Sequence, residues 1–243
     1  MRAIRETWLV FRHNTRIALR QKAGIVFGAL QPLLYLLLFG PLFATIGTWE
    51  TLVPGLLAQV ALFSAGLAGF GIVMDARAGV LERLRVTPAH RTALLLGRVL
   101  GSSLTLLIQS VVMLALGYAL GLRAPLPGVL AGLVLMALLG VGLAALSNAI
   151  ALTMNPDLFA PVMGTAIVPL VLLSGAFLPM SMAPAWLDAI SRFTPFRHVV
   201  EAIRDLFAGR YATWTVAAGV VVTVVLTAAC VAVGTRVFNR ENA

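Results

Sequence analysis

The polar residues that come nearest to a catalytic arrangement stand late in the chain, in the string HVVE at residues 198–201. A histidine followed three residues later by a glutamate is half of an H-x-x-E-H zinc motif, but the next residue is Ala202. Arg204 and Asp205 follow closely, and helical spacing with capping explains the whole group without chemistry. The sequence therefore predicts no catalytic residue and no metal site. A membrane-embedded lipid-modifying enzyme, with these four polar residues as its cluster, is the alternative of a different class.

The sequence also contains no motif by which this chain alone could use an energy source. No G-x-x-x-x-G-K-[ST] string occurs, so the chain does not bind ATP in the P-loop manner. Ion-coupled transporters and intramembrane enzymes keep ionisable groups at membrane depth. Here Arg98 comes closest, about a turn into the predicted third span, and can snorkel to the surface. A proton-driven machine is therefore disfavoured, and a cation channel lacks its ring of carboxylates.

The elements that would position such residues are six long stretches without any charged side chain. They are Ala23–Trp49, Thr51–Met74, Val99–Leu122, Ala124–Pro156, Leu158–Leu187 and Tyr211–Thr235. A helix needs about 20 apolar residues to cross a bilayer, and in lipid the backbone must satisfy its own hydrogen bonds. We therefore expect an all-α integral membrane protein with six transmembrane helices. The predicted spans cover about residues 25–47, 53–74, 94–121, 127–152, 158–179 and 213–236.

The composition leaves no room for a separate soluble domain. Apolar residues make up 60% of the 243 residues and charged residues 11%, against about 25% charged in soluble domains. A net charge of +9 would indicate nucleic acid in a soluble protein. Here the cations flank apolar spans, so we expect contact with membrane lipid and none with nucleic acid. Cys230 is the single cysteine, which excludes an intrachain disulfide.

The distribution of lysine and arginine predicts the orientation of the spans. With six spans, 13 of the 18 cations lie on the side that holds both termini and the second inter-span loop. Cationic loops stay in the cytoplasm. We therefore expect a multi-pass protein of the cell inner membrane with both termini cytoplasmic.

Residues 1–22 are predicted to form a helix on the cytoplasmic membrane surface. Four arginines share one stripe at 100° per residue, and Trp8 and Phe11 lie beside that stripe. A basic stripe next to an apolar one that contains tryptophan is typical of an interfacial helix. Anchoring of the first span and docking of a partner both fit this pattern.

The second inter-span loop, at about residues 75–92, has the most informative polar pattern. An apolar face and an acidic–basic pair three residues apart predict a short amphipathic helix, which Pro88 ends. A loop that merely joins two spans does not need such a helix, whereas one that docks into a cytoplasmic partner does. A solvated basic loop that only fixes the topology is the alternative. The residues predicted to make the contact are Val80, Leu81, Glu82, Arg83, Leu84 and Arg85.

Two further segments carry proline and polar residues. Asn155-Pro156-Asp157 predicts a tight cytoplasmic turn, with Asp157 capping the next helix and offering a smaller docking contact. Residues 183–209 predict two short amphipathic helices after the fifth span. These helices are too polar to cross the membrane and too apolar for water, so we expect them at the outer interface.

Three separate stretches with a recognisable pattern are distributed along nearly the whole chain. They are RQKAGIVFGALQPLLYLLLFG at residues 20–40, GVLERLRVTPAHRTALLLGRVL at 79–100 and LSGAFLPMSMAPAWLDAISRFTPFRHVVEAIR at 173–204. Together with the six-span layout they resemble the permease subunits of ABC type-2 exporters. That family includes antibiotic-resistance permeases of the daunorubicin type and permeases for polysaccharide and lipo-oligosaccharide export.

The resemblance implies a single permease domain over residues 1–243, paired with a second permease copy and with two ABC ATPase subunits. ATP and Mg would be bound by the ATPase, and this chain would bind no cofactor. In the family the second loop is the coupling helix that inserts into the ATPase, so residues 80–85 would carry that contact. Asn155 and Asp157 would form the minor contact.

The resemblance also implies an outer gate and a path for the exported substrate. Outer helices after the fifth span would close the exit, with gate residues Pro179, Pro184, Trp186, Pro195, His198, Glu201 and Arg204. The path would follow the dimer interface, with polar lining residues Gln31, Tyr35, Gln59, Ser64, Thr165 and Ser174.

The substrate class follows less directly from the resemblance. The compact chain and its ERLRVTP loop resemble the drug-resistance type, so export of a hydrophobic drug or antibiotic-like compound is the first expectation. Export of a lipid-linked glycan or a lipid by the same mechanism is the alternative, because aromatic residues are numerous in the relevant spans.

Overall fold

The computed structural model describes residues 7–12, 30–38, 40–41, 49–79, 91–177 and 179–241. These ranges are helical with connecting turns and contain no strand. Residues 7–12 and 30–38 are helical, and Met180–Met182 form a 3-10 turn. The longer helices are α1 (Trp49–Gly66), α2 (Phe70–Arg77), α3 (Arg91–Leu120), α4 (Leu126–Thr153), α5 (Pro156–Leu173), α6 (Ala185–Arg192), α7 (Pro195–Phe207) and α8 (Trp214–Glu241).

The described helices have the character of an integral membrane protein. Five helical segments are long and apolar enough to cross a membrane, namely Trp49–Arg77, Leu95–Leu120, Leu126–Thr153, Pro156–Leu173 and Trp214–Phe238. The first predicted span, at about residues 25–47, lies mostly outside the described residues, of which 30–38 are helical. The count of six spans therefore stays a prediction.

Helix α4 is the centre of the bundle because it is apolar on every side. It packs against α1, α3, α7 and α8, and glycines allow the close approach. A Cβ added to Gly142 would lie 2.8 Å from the Cα of Thr227 in α8, and one added to Gly132 would lie 2.8 Å from the ring of Phe207 in α7. Small residues at these contacts therefore set the spacing between helices.

The segment Trp49–Arg77 is interrupted between α1 and α2, a break that the sequence analysis does not predict. A break in lipid frees backbone groups that then need partners. The Ser147 hydroxyl of α4 is the partner of two such groups. Its Oγ accepts from the N–H of Gly69 at 2.9 Å and donates to the carbonyl of Gly66. The backbone at Gly69 lies so close to α4 that an added Cβ would be 2.3 Å from the carbonyl oxygen of Ser147.

Helix α5 ends at Leu173, about six residues before the predicted end of the fifth span. The cause is Gly175, whose φ of +73° lies in the left-handed region that ends helices. At the other boundary, α2 continues to Arg77 and α3 begins at Arg91, so the second loop is shorter than the predicted 75–92.

Helices α6 and α7 lie within the range predicted for short outer helices. The 13 residues of α7 extend only about 20 Å at 1.5 Å per residue, which is too short to cross a bilayer. One side of α7 packs against α1, α4 and α8. Its buried residues are Phe196, Val199, Val200, Ala202, Ile203, Leu206 and Phe207.

Candidate functional site

Ion pairs and polar networks form at both ends of the helix bundle. The lid end holds the starts of α1, α4 and α8 together with α6 and α7. The loop end holds the end of α2 and the starts of α3 and α5. From Arg98 to Leu120, α3 extends about 33 Å at 1.5 Å per residue. The two ends are therefore separated by about the thickness of a hydrocarbon core.

At the loop end, two ion pairs join helices that are distant in sequence. Arg77 at the end of α2 pairs through Nη2 with Oδ1 of Asp157 at the start of α5. Asp75, two residues earlier, pairs with Arg98 of α3. The first pair is exposed, whereas the Arg98 side chain is only 16% exposed. Arg98 is thus held by a carboxylate, where the sequence analysis expects it to snorkel alone.

The turn before α5 differs in one respect from its prediction. Asn155, and not Asp157, is the N-cap, because the Asn155 side-chain oxygen accepts from the N–H of Asp157 at 2.9 Å. The Asp157 carboxylate lies in the first turn, where the helix dipole favours a negative charge, and is free to bind Arg77.

The predicted docking residues 80–85 lie outside the described residues, so their contacts stay predictions. The described chain stops at Gly79, two residues after Arg77. The Arg77–Asp157 pair therefore links the segment that leads into the predicted major contact with the predicted minor contact. Sequence reasoning missed this pair, because its two partners stand 80 positions apart in the chain.

Residues 7–12, from the predicted interface helix, pack beside the loop end. An added Cβ on Gly97 of α3 would lie 2.6 Å from the Cβ of Val10 and 3.1 Å from the backbone nitrogen of Phe11. Trp8, whose ring lies 5.5 Å from that of Phe11, is 60% exposed. An exposed tryptophan next to a membrane helix is typical of the membrane interface.

At the lid end, Arg197 fastens α6 to α7. Its guanidinium donates to Oδ1 of Asp188 at 2.6 Å, to Oγ of Ser191 at 2.6 Å and to Oε1 of Glu201 at 2.7 Å. Arg192 also binds Asp188. These hydrogen bonds from Arg197 and Arg192 hold the pKa of the Asp188 carboxyl below its usual value.

Arg204 fastens α7 to two other elements through backbone carbonyls. Its Nε donates to the carbonyl of Thr51 in α1 at 3.1 Å, and its Nη2 donates to the carbonyl of Gly175 at 2.7 Å and to that of Ala176 at 3.3 Å. Burial lowers the pKa of Arg204 to about 10, so the group remains charged at neutral pH. Gly55 lets α1 approach the same carbonyls, because an added Cβ would lie 1.6 Å from the oxygen of Ala176.

The other predicted gate residues shape helix ends. Pro179 precedes the 3-10 turn, Pro184 precedes α6 and Pro195 begins α7. Trp186 is 65% exposed on α6. His198 has its Nε2 3.1 Å from the carbonyl oxygen of Arg192.

Each member of the cluster that an enzyme would need has a structural partner. His198 contacts the carbonyl of Arg192, Glu201 binds Arg197, and Arg204 binds three carbonyls. Asp205 accepts from Arg210 and from the hydroxyl of Thr213. These contacts join helix ends to one another and give the lipid-modifying alternative no support.

The predicted lining residues do not form one group within this chain. Gln31 donates to the Tyr35 hydroxyl at 3.2 Å, and the Tyr35 ring meets Phe177 edge-to-face at 5.4 Å. Gln59 and Ser174 are 2% and 1% exposed, inside the bundle. Ser64 is half-buried, and Thr165 is exposed on α5. Their lining role stays a prediction.

Comparison with known proteins identifies the family. The sequence model described as ABC-2 type transporter matches residues 5–208. A protein named as transport permease ycf38 in Cyanophora paradoxa is 28% identical over 207 residues, which cover 80% of this chain and 71% of the relative. A protein named as a doxorubicin resistance ABC transporter permease, DrrC, in Mycobacterium tuberculosis is 25% identical over 195 residues, or 76% of this chain and 70% of the relative.

Proposed function

Because the chain belongs to the ABC-2 type transporter family, we propose that it is the permease of an exporter that carries a hydrophobic drug or antibiotic-like compound out of the cell. The observation that carries the proposal is the family match over residues 5–208, a range that includes the second loop and helices α6 and α7. The relative named for doxorubicin resistance supports a drug as the substrate class. The permease lies in the cell inner membrane with both termini in the cytoplasm.

The exporter obtains its energy from a partner, since this chain has no P-loop string. Two ABC ATPase subunits bind ATP and Mg and dock on residues 80–85 of two permease copies. The Arg77–Asp157 pair then carries a displacement of the second loop into α5. At the far end, movement of α6 and α7 opens the exit between the two copies.

Export of a lipid-linked glycan or a lipid is the second candidate. The observation in its favour is the edge-to-face pair of Tyr35 and Phe177, at 5.4 Å, beside predicted lining residues. Sugar rings stack on aromatic side chains, so an aromatic path suits a glycan. The two candidates share the docking and gating residues and differ only in the cargo.

Transport into inside-out vesicles tests the proposal. The chain is co-expressed with its ATPase partner, and ATP-dependent uptake of doxorubicin is compared with uptake of a fluorescent lipid-linked sugar. We expect doxorubicin uptake that Glu82→Ala and Arg83→Glu abolish while the amount of permease in the membrane stays constant. Uptake of the sugar alone would favour the second candidate, and normal doxorubicin uptake by both variants would overturn the docking assignment.

A further inference from the structure

The lid end contains a cavity of about 440 Å³, whose lining includes the predicted gate residues Pro179 and Arg204. It lies between the start of α1, the α3–α4 connection and the end of α7. Its charged lining consists of Glu50, Arg123, Arg204 and Arg210, and we call it the arginine pocket. Three guanidinium groups thus share one cavity with a single carboxylate.

Arg204 brings a charge to this pocket that no carboxylate binds directly, although Glu201, one helical turn earlier, acts on it electrostatically. Its three hydrogen bonds go to backbone carbonyls through Nε and Nη2. Within the residues that the structure describes, no carboxylate accepts from Arg204 and its Nη1 makes no hydrogen bond. A guanidinium that is shielded from water and has no carboxylate in hydrogen-bond contact favours the approach of an anion.

The other two arginines stand at the mouth of the pocket. Arg123 is exposed and, among the described residues, forms no ion pair. Arg210 is exposed and binds Asp205, with Nε 3.1 Å from Oδ1, so its charge is partly compensated. Glu50 opposes an anion, but three cations against one carboxylate still leave the lining positive.

From this lining we propose that the arginine pocket binds a phosphate group, either of a lipid headgroup or of a free phosphate. Arg123 donates to its oxygens through two parallel N–H groups, the geometry in which a guanidinium matches a phosphate. Arg204, whose Nε and Nη2 are bound to carbonyls, donates through Nη1. The pocket lies at the boundary of the apolar span of α3, where phospholipid headgroups lie. Glu50 limits the affinity for a phosphate and faces the ammonium of a zwitterionic headgroup.

Native mass spectrometry of the purified full-length chain in a non-ionic detergent tests this inference without the ATPase or the exported compound. The probes are dioctanoylphosphatidylglycerol, dioctanoylphosphatidylcholine, dioctanoylglycerol and inorganic phosphate. We expect both phospholipids to bind and dioctanoylglycerol, which has no phosphate, not to bind. Displacement of the phospholipids by millimolar inorganic phosphate would identify free phosphate as a ligand, and resistance to it would identify the lipid headgroup.

Matched variants connect this binding to the pocket. Arg123→Gln removes an exposed charge that fastens no helix and should weaken phospholipid binding about tenfold, as expected for a charged hydrogen bond. Arg192→Gln, on α6 outside the pocket lining, should leave binding unchanged. Glu50→Gln should strengthen binding of dioctanoylphosphatidylglycerol, which has no ammonium, a few-fold, a gain that misfolding cannot produce. Equal binding of all three glycerolipids, or equal binding by Arg123→Gln and Arg192→Gln, would overturn the proposal.

Discussion

The lid end and the loop end both contain charged side chains, but they use them differently. At the lid end, Arg197 and Arg204 are mostly shielded and bind groups of neighbouring helices, several of them backbone carbonyls. At the loop end, carboxylates and arginines pair across 23 and 80 positions of sequence, and the longer-range pair of Arg77 and Asp157 is exposed. The contacts at the lid end thus hold its helices together as one rigid unit, whereas the loop end links two segments predicted to meet a partner.

The energies of the contacts support this distinction. A hydrogen bond to a charged group contributes about 1.5–3 kcal/mol when it is shielded from water. An exposed ion pair contributes about 0–1 kcal/mol. Changes at the lid end should therefore lower the stability of the fold, and changes to Arg77 or Asp157 should affect transport more than stability.

Substitution of Gly55 should have the largest effect on stability, because an added side chain pushes α1 away from the segment that follows α5. In Gly55→Ala the new Cβ would lie 1.6 Å from a backbone oxygen, and overpacking against backbone destabilises by about 3 kcal/mol or more. Fluorescence-detected size-exclusion chromatography after heating measures the loss. Gly164→Ala on α5, where nothing lies within 4 Å, is the matched control and should stay folded. Equal thermal midpoints would contradict this close contact.

Removal of the Arg204 side chain should have the next largest effect. Arg204→Ala leaves three carbonyls without their donor and should lower the free energy of unfolding by about 2 kcal/mol. Arg204→Lys restores part of the loss, since one ammonium cannot reproduce the fork of the guanidinium. The same heating assay checks this order, with the exposed Arg192→Ala as control. A midpoint for Arg204→Ala equal to that of the control would show that the carbonyl contacts contribute nothing.

At the loop end, changes to the charges of the Arg77–Asp157 pair should reduce transport and leave stability nearly unchanged. Arg77→Asp and Asp157→Arg should each reduce ATP-dependent transport several-fold while changing stability by less than about 1 kcal/mol, because the pair is exposed. The double variant restores the pair and should recover transport. Vesicle uptake and thermal midpoints, measured on the same preparations, separate the two effects. Failure of the double variant to recover, with intact folding, would mean that the pair does not transmit motion.

A small effect of pH on thermal stability is expected from Asp188 in α6. Because Arg197 and Arg192 lower the pKa of Asp188 below the usual 3.8 of an aspartate, the ionised carboxylate stabilises the fold above that pH. This stabilisation is lost as the pH falls through the lowered pKa. The difference in thermal midpoint between the protein and Asp188→Asn should stay constant above pH 4 and shrink below it. A difference that does not change with pH would contradict the ionised pair.

The sequence predicts those features that depend on local composition. Long runs without charge indicate membrane helices wherever they occur, and Pro184 and Pro195 mark the starts of α6 and α7. The break before Gly69 depends on Ser147, which is 78 positions away. The pair of Arg77 and Asp157 likewise requires two distant helix ends to meet. No local pattern contains that information, so the sequence analysis predicts a docking role for Asp157 but not its pairing with Arg77.

Co-purification tests the central claim that this permease docks an ATPase through its second loop. The tagged protein is isolated from its native membrane in mild detergent, and the accompanying proteins are identified and quantified. We predict a stoichiometric ATPase with a Walker motif, lost in the double variant Glu82→Ala with Arg83→Glu and retained in Arg192→Gln. A preparation without an ATPase, or an ATPase retained by the double variant, would contradict the account.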